Sequence, residues 1–260
     1  MEATAKGGFL AAARELLERI VATQDEALEA ASRICVEAIG AGGLVHAFGT
    51  GHSRIPVEEL FPRYGSFPGF NPIVELSMTF HTEVVGANGQ RQAMFIERVE
   101  GLAEQILASY DLGPPDAMLV FSAGGLTAVP IEMAMGARER GLPVIAVTSV
   151  ANASSGEPSH SSGTRLTDHA DVVVDLCTPP GDALVPVDGV DTPVAPGSTV
   201  AAVAISNELK ARTAAALAER GLLPPVITSP ALVGAERSAE LFDAAYAEHA
   251  RRATRALRRG

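Results

Sequence analysis

The chain has 260 residues, 47% of them hydrophobic and 5% aromatic, and carries a formal net charge of −11. So acidic a balance excludes general nucleic-acid binding, because nothing would neutralise phosphates along a duplex. No apolar run is long enough to span a bilayer, and Met1-Glu-Ala-Thr-Ala-Lys6 lacks a signal-peptide pattern, which excludes a membrane partner and leaves a cytoplasmic protein as the expectation.

The length fits one large α/β domain with decorations. Cys35 and Cys177 have neither metal spacing nor a disulfide framework, as expected of a reduced compartment. Residues 9–41 read as helix, with Leu16, Leu17, Ile20, Val21, Ile34, Cys35 and Ile39 near helical spacing and Gly40, Gly42 and Gly43 stopping it. Strand patterns near 43–48, 72–76, 117–122, 143–148 and 171–176 then alternate with helical ones near 53–61, 91–110, 127–140, 164–170, 199–221 and 235–258. Continuous apolar runs such as Val144-Ile-Ala-Val147 and Val172-Val-Val174 predict a parallel sheet covered on both faces. The Pro-, Gly- and Asp-rich stretch 178–198 reads as a long loop. Arg251-Arg252 and Arg258-Arg259 read as a basic helix end complementing the macrodipole. The organisation expected is a helical segment 1–40 used in dimerisation, a main body 41–222, and a C-terminal helix 223–260 within the same domain.

The apolar run 43–48 feeds directly into Gly49-Thr50-Gly51-His52-Ser53, and the run 117–121 into Ser122-Ala123-Gly124-Gly125-Leu126-Thr127. Glycines admit a ligand close to the backbone, and amides at a helix start favour anions. Ligands in parallel sheets sit at the carboxyl ends of strands, where both turns fall, as does Thr148-Ser149. Two turns of one chemical type suggest one ligand held from two sides, although a plain helix cap is the alternative for each. Arg54 occupies the third glycine position of a dinucleotide fingerprint, and no lysine follows the glycines, so nucleotide readings fail. With only Lys6 and Lys210 in the chain, backbone amides and hydroxyls must hold most of any phosphate.

These turns, together with Val147-Thr148-Ser149, resemble the sugar isomerase (SIS) fold, in which serine- and threonine-rich turns after parallel strands bind phosphosugars. The resemblance covers roughly residues 40 to 220. Ala128-Val-Pro130-Ile-Glu-Met-Ala134, His160-Ser-Ser-Gly163 and Pro179-Pro-Gly-Asp182 resemble the branch labelled UPF0309, phosphoheptose isomerase-like and related to the N-acetylmuramate 6-phosphate etherases. The implied fold is a three-layer αβα sandwich around a five-stranded parallel, flavodoxin-like sheet. The implied ligand is a sugar phosphate, with Gly49, Thr50, Gly51, His52, Ser53, Arg54, Ser122, Gly124, Gly125, Thr127 and Ser149 as its binding residues. The family's second turn reads Ser-x-Ser-Gly-x-Thr; Gly124 stands at its second serine, so one hydroxyl is lost. SIS proteins commonly assemble, which implies a homodimer or homotetramer, and His160-Ser161-Ser162-Gly163 is a candidate to reach a neighbouring subunit.

An enzyme of this type must remove a proton beside a carbonyl, which requires a general base. Glu83, among apolar and β-branched neighbours, is the expected base, with Glu59 as second acid/base, Glu58 as a further candidate, and His52 and His81 orienting hydroxyls or sharing protons. Arg54 either meets an acidic substrate group or pairs with Glu58 one turn on. His46 reads as a core residue, and Cys177 as structural. No cofactor and no metal are expected, although ligands can converge from distant loops and His52, Glu59, His81 and Glu83 could in principle do so. The reaction expected is β-elimination on a hexose 6-phosphate, an N-acetylamino sugar, by a lyase or dehydratase. An aldose–ketose isomerase and a non-catalytic phosphosugar sensor are the alternatives.

Overall fold

A computed structural model describes residues 8–78 and 89–257. Five parallel strands, β1 (Val45–Gly49), β2 (Phe70–Ile73), β3 (Ala117–Phe121), β4 (Val144–Thr148) and β5 (Val172–Asp175), form one sheet in the order β2-β1-β3-β4-β5. In register, Gly49 lies opposite Phe121. The chain winds outward in both directions from β1 and β3, so the crevice between their carboxyl ends is the topological switch point of the sheet.

The alternation of side chains builds two cores. Ala117, Leu119 and Phe121 point to one face with Val45, Ala47, Ile145 and Val147; Met118 and Val120 point to the other with Phe48, Val144 and Ala146. The first face is covered by α1 (Gly8–Thr23), α2 (Asp25–Gly40), α3 (Arg54–Leu60) and the long α8 (Ser198–Glu219). The second carries α4 (Gly89–Ile96), α5 (Leu102–Leu107) and α6 (Ala128–Glu139). Every residue of β1, β3 and β4 is buried, as a sheet covered on both faces requires. The expected three-layer αβα fold is the one found.

Several boundaries differ from the sequence reading. The helix expected over 9–41 is two helices broken at Gln24, whose side chain accepts the Asp175 amide at 2.9 Å and so ties the break to the end of β5. The helix expected over 91–110 is α4 and α5, separated by Gly101 in a left-handed conformation (φ 86) whose amide donates to Glu132. Residues 164–170 hold only a 3-10 turn, Leu166–His169. The loop 178–198 contains a small antiparallel hairpin, β6 (Ala183–Val185) with β7 (Val194–Pro196). Two short helices, α7 (Val150–Ser155) and α9 (Pro230–Val233), carry too few residues for a periodic signal.

His46 is fully buried and satisfied, with Asn71 at 3.0 Å on Nδ1 and Asp116 at 3.4 Å on Nε2. The C-terminal arginines act differently from expectation. Arg252 on α10 (Ala235–Ala256) donates to the carbonyls of Ile39 and Gly43 at 2.9 and 2.8 Å, and Arg255 donates to Gly42. They complement the carbonyl end of α2 rather than that of their own helix, and this pins α10 to the body of the fold. Arg258 and Arg259 lie outside the described residues. No helix among the described residues is long and apolar enough to cross a membrane.

Candidate functional site

Gly49 ends β1, and a 3-10 turn, Gly51–Ser53, leads into α3. The turn folds back so tightly that a Cβ at Gly49 would lie 2.2 Å from the Ser53 carbonyl oxygen, and Gly51 takes φ 53. Only glycine fits the first position. One strand over, β3 delivers Ser122, whose hydroxyl accepts the Gly125 amide at 3.1 Å and closes the second turn. Gly125 has φ 63, and its carbonyl accepts the Leu166 amide at 3.0 Å; the Leu126 carbonyl accepts that of Ser159 at 2.8 Å. Of the amides of this turn, that of Gly125 is taken by Ser122. Those of Gly124, Leu126 and Thr127 have no partner among the described residues. Thr127 starts α6 in an extended conformation and makes no side-chain cap bond. The open end of a twelve-residue helix therefore adds its partial positive charge to the same place.

Between the two turns lies a cleft of about 540 Å³, lined by Thr50, Gly51, His52 and Ser53 from the first turn and by Ser122, Gly124 and Thr127 from the second. Its far walls come from α4 and the link after it (Met94, Glu97, Arg98), from Asn152, and from Asp182 and Ser198. Seven of the expected binding residues thus converge on the cleft, with Gly49 beneath the first turn and Gly125 behind the second.

Three expected residues stand elsewhere. Arg54 is 3.6 Å from Glu58, the second of its two expected arrangements, and does not line the cleft. Ser149 is fully buried; its hydroxyl accepts the Asn152 amide at 3.1 Å and donates to the Thr178 carbonyl at 2.7 Å, so it caps α7 instead of facing a ligand. Glu59 lines a separate cavity of about 560 Å³ with Glu58, Arg63, Tyr64 and Phe242. Burial pushes its carboxyl up, but hydrogen bonds from Asn207 and Arg63 and the charges of Arg63 and Lys210 hold it below the usual Glu range. A carboxylate so held is a poor proton acceptor. His52 and Glu59 consequently line different cavities. Glu83 and His81 lie outside the described residues.

The sequence reading missed Glu97. Its side chain, only 18% exposed, stands on the cleft wall and accepts a hydrogen bond from Thr50 Oγ1 at 2.7 Å. Burial raises its pKa above the ordinary Glu value, against the opposing effects of Thr50 and of Arg98, whose Nη1 is 3.6 Å away. Its backbone carbonyl accepts the Val129 amide at 3.0 Å, which docks this segment onto the first turn of α6. No local signal marked Glu97 among the other acidic residues of 97–104; its role depends on that docking. Arg98, also on the cleft wall, was missed for the same reason.

The missing second serine has a structural counterpart. A Cβ at Gly124 would lie 2.7 Å from Asn152 Nδ2, so the Asn152 amide fills the place that a side chain at 124 would take. Asn152 is aimed by the Ser149 cap and by the Gly181 amide, which donates to its Oδ1 at 3.1 Å. On the far side, Asp182 accepts from the Ser198 amide at 2.7 Å and from the Ser198 hydroxyl at 2.5 Å, capping α8 at the cleft. Cys177, with φ 57, has its thiol pushed up by burial, and Cys35 is pushed up to about 12 by full burial; both are structural thiols.

A switch-point crevice with paired glycine turns, an open helix end and no nucleotide fingerprint defines a phosphosugar-binding α/β domain. A protein-family model described as SIS domain matches residues 8–149. A UPF0309 protein of Streptomyces coelicolor is 40% identical over 223 residues, covering 86% of this chain and 87% of its own length. One from Geobacillus kaustophilus is 35% identical over 222 residues, covering 85% and 86%. Among solved structures, a phosphoheptose isomerase from Francisella tularensis is 16% identical and covers 79% of this chain and 94% of its own, with a TM-score of 0.48. The Vibrio vulnificus NanR protein complexed with ManNAc-6P is 15% identical and covers 81% and 62%, with a TM-score of 0.47. The chain belongs to the SIS-domain family, within its UPF0309 group.

Proposed function

We propose that this protein is an enzyme that binds a hexose 6-phosphate, an N-acetylated amino sugar, removes the C2 proton and eliminates the C3 substituent. The observation that carries this reading is the position of Glu97. A partly desolvated carboxylate with a raised pKa shares one cleft with two anion-binding turns and hydrogen-bonds to one of them. The phosphate is taken by the turn amides, the hydroxyls of Ser53 and Thr127, and the end of α6. Glu83 is the proposed base at C2. As the C2–H bond breaks, its electron pair moves towards the carbonyl and then expels the C3 oxygen. Glu97, whose pKa burial raises, is the proposed acid at that oxygen, so a C3 hydroxyl leaves as water. His52 and Asn152 orient sugar hydroxyls, and Arg98, beside Glu97, opposes the rise in its pKa. A homodimer or homotetramer remains part of the proposal.

The test is to incubate the purified protein with a panel of sugar 6-phosphates and follow each by mass. Loss of one water from an N-acetylamino sugar 6-phosphate is expected. An unchanged mass with a new ketose makes it an isomerase, and tight binding without turnover makes it a sensor. Either result overturns the elimination.

A further inference from the structure

The loop His160-Ser161-Ser162-Gly163 takes no part in the cleft, yet it gathers three metal-ligand groups behind the second glycine turn. His160 Nε2 lies 3.4 Å from Glu132 Oε1, on α6, and 4.0 Å from Glu100 Oε2, in the link between α4 and α5. The three ligand atoms all fall within 4.8 Å of one another. Such separations are close to those across one coordination sphere, where metal–ligand bonds are about 2.0–2.2 Å.

Each donor is held by a second partner. Ser162 Oγ is 2.7 Å from His160 Nδ1, which turns Nε2 towards the carboxylates. The Gly101 amide donates to both oxygens of Glu132, at 2.7 and 3.0 Å. The Ser161 amide and hydroxyl donate to Glu100 at 2.6 and 2.7 Å and hold it as the anion. Neither carboxylate has an Arg or Lys ion pair among the described residues, so one imidazole faces two anions. His160 is nearly buried while Glu100 is half exposed, which leaves a path in from solvent.

We propose that Glu100, Glu132 and His160 form a binding site for a divalent transition-metal cation of the zinc class. One imidazole with two carboxylates suits such an ion, and three protein ligands leave positions for water. The Ser162 amide donates to His160 Nδ1 at 3.2 Å, so the ring proton sits on Nε2 before the ion enters. On binding, the ion takes the Nε2 lone pair, the ring proton moves to Nδ1, where Ser162 Oγ accepts its hydrogen bond, and the amide contact is given up. None of the three residues lines the cleft. The ion joins the link after α4, helix α6 and the 156–163 loop, whose Ser159 amide supports the Leu126 carbonyl. It braces the second turn without touching the ligand.

The test is calorimetric titration of chelator-treated protein with zinc chloride, repeated on Glu132→Gln and His160→Gln. A single zinc per chain is expected, bound at least about 10–100-fold more weakly by each variant, together with a zinc-dependent rise in melting temperature seen only in the unmodified protein. The first substitution keeps an amide oxygen to accept from Gly101, and circular dichroism of the metal-free variants checks their fold. If Glu132→Gln fails to fold, His160→Gln decides. No zinc uptake by the unmodified protein, or undiminished uptake by a folded variant, overturns the site.

Discussion

Thr50 Oγ1 donates a 2.7 Å hydrogen bond to Glu97 Oε2, joining the turn that opens the anion cradle to the carboxylate with the raised pKa. The hydroxyl that sequence alone would offer to a ligand is instead committed to the Glu97 carboxylate.

Glu97→Gln is expected to cut turnover by about 10²–10⁴-fold while leaving phosphosugar affinity within a few-fold, since Gln still accepts from Thr50. Steady-state kinetics beside equilibrium binding reads the split. Equal loss of both assigns Glu97 to binding rather than proton transfer.

The same residue gives a pH signature in stability. Its folded pKa is raised from 4.5, so the native state holds this proton more tightly than the unfolded chain. Its contribution is full below that ordinary value and is lost as pH rises through the raised one. Melting curves should show Glu97→Gln flattening the decline in stability across that window. An unaltered profile shows that Glu97 is not the group responsible.

Asn152→Ala should weaken phosphosugar binding about tenfold, or about 1.4 kcal/mol, through loss of one donor. Gly124→Ser alone should do at least as much damage, because its Cβ meets Asn152 Nδ2 at 2.7 Å. Combined, the two changes remove the clash and return a hydroxyl, so affinity should recover towards the original. Isothermal titration of the three variants checks the coupling, and strictly additive losses refute it.

Asp182→Ala removes the cap of α8 and should cost about 1–2 kcal/mol, seen as a melting temperature lower by about 2–8 °C. Differential scanning calorimetry measures it. Asp182→Asn, which keeps an acceptor, should lose less.

Arg252→Met removes the guanidinium donor from the Gly43 carbonyl and one of two from the Ile39 carbonyl, which keeps the Gly42 amide, and leaves Glu248 with Arg251 alone. Because Arg252 is buried, a loss of about 3–5 kcal/mol is expected in urea denaturation. A change under about 1 kcal/mol shows that Arg252 is not what holds α10, leaving the Arg255, Ser238 and Ala256 hydrogen bonds and apolar packing to do so.

The strands and the two anion turns were legible from short-range chemistry, an apolar run and then a glycine that must adopt a particular backbone shape; β2 was the exception, expected near 72–76 and found at Phe70–Ile73. Glu97, Asn152 and Asp182 were not legible in these roles. Each reaches the cleft from a segment brought in by tertiary docking, through Val129, the Ser149 cap and the start of α8 respectively. Ser149 and Glu59 fit by type and position, but partners far along the chain already engage their side chains, Thr178 for one, and Asn207 by a hydrogen bond and Lys210 by a 4.0 Å ion pair for the other. The break at Gln24 is of the same kind, since helical periodicity runs through it and only the contact with Asp175 marks it.

The pairing of Gly49 with Phe121 makes the sheet a ruler. Neighbouring strands stand about 4.8 Å apart, fixed by their hydrogen-bond ladder, so no loop substitution can move the two turns closer together or further apart. In the proposed reading the grip on the anion rests on the backbone of the two turns, whereas the rest of the ligand faces the link after α4, Asn152 and Asp182, which hang on separate segments. On that reading, changes confined to those segments would alter which sugar is held while leaving the spacing of the two turns as it is.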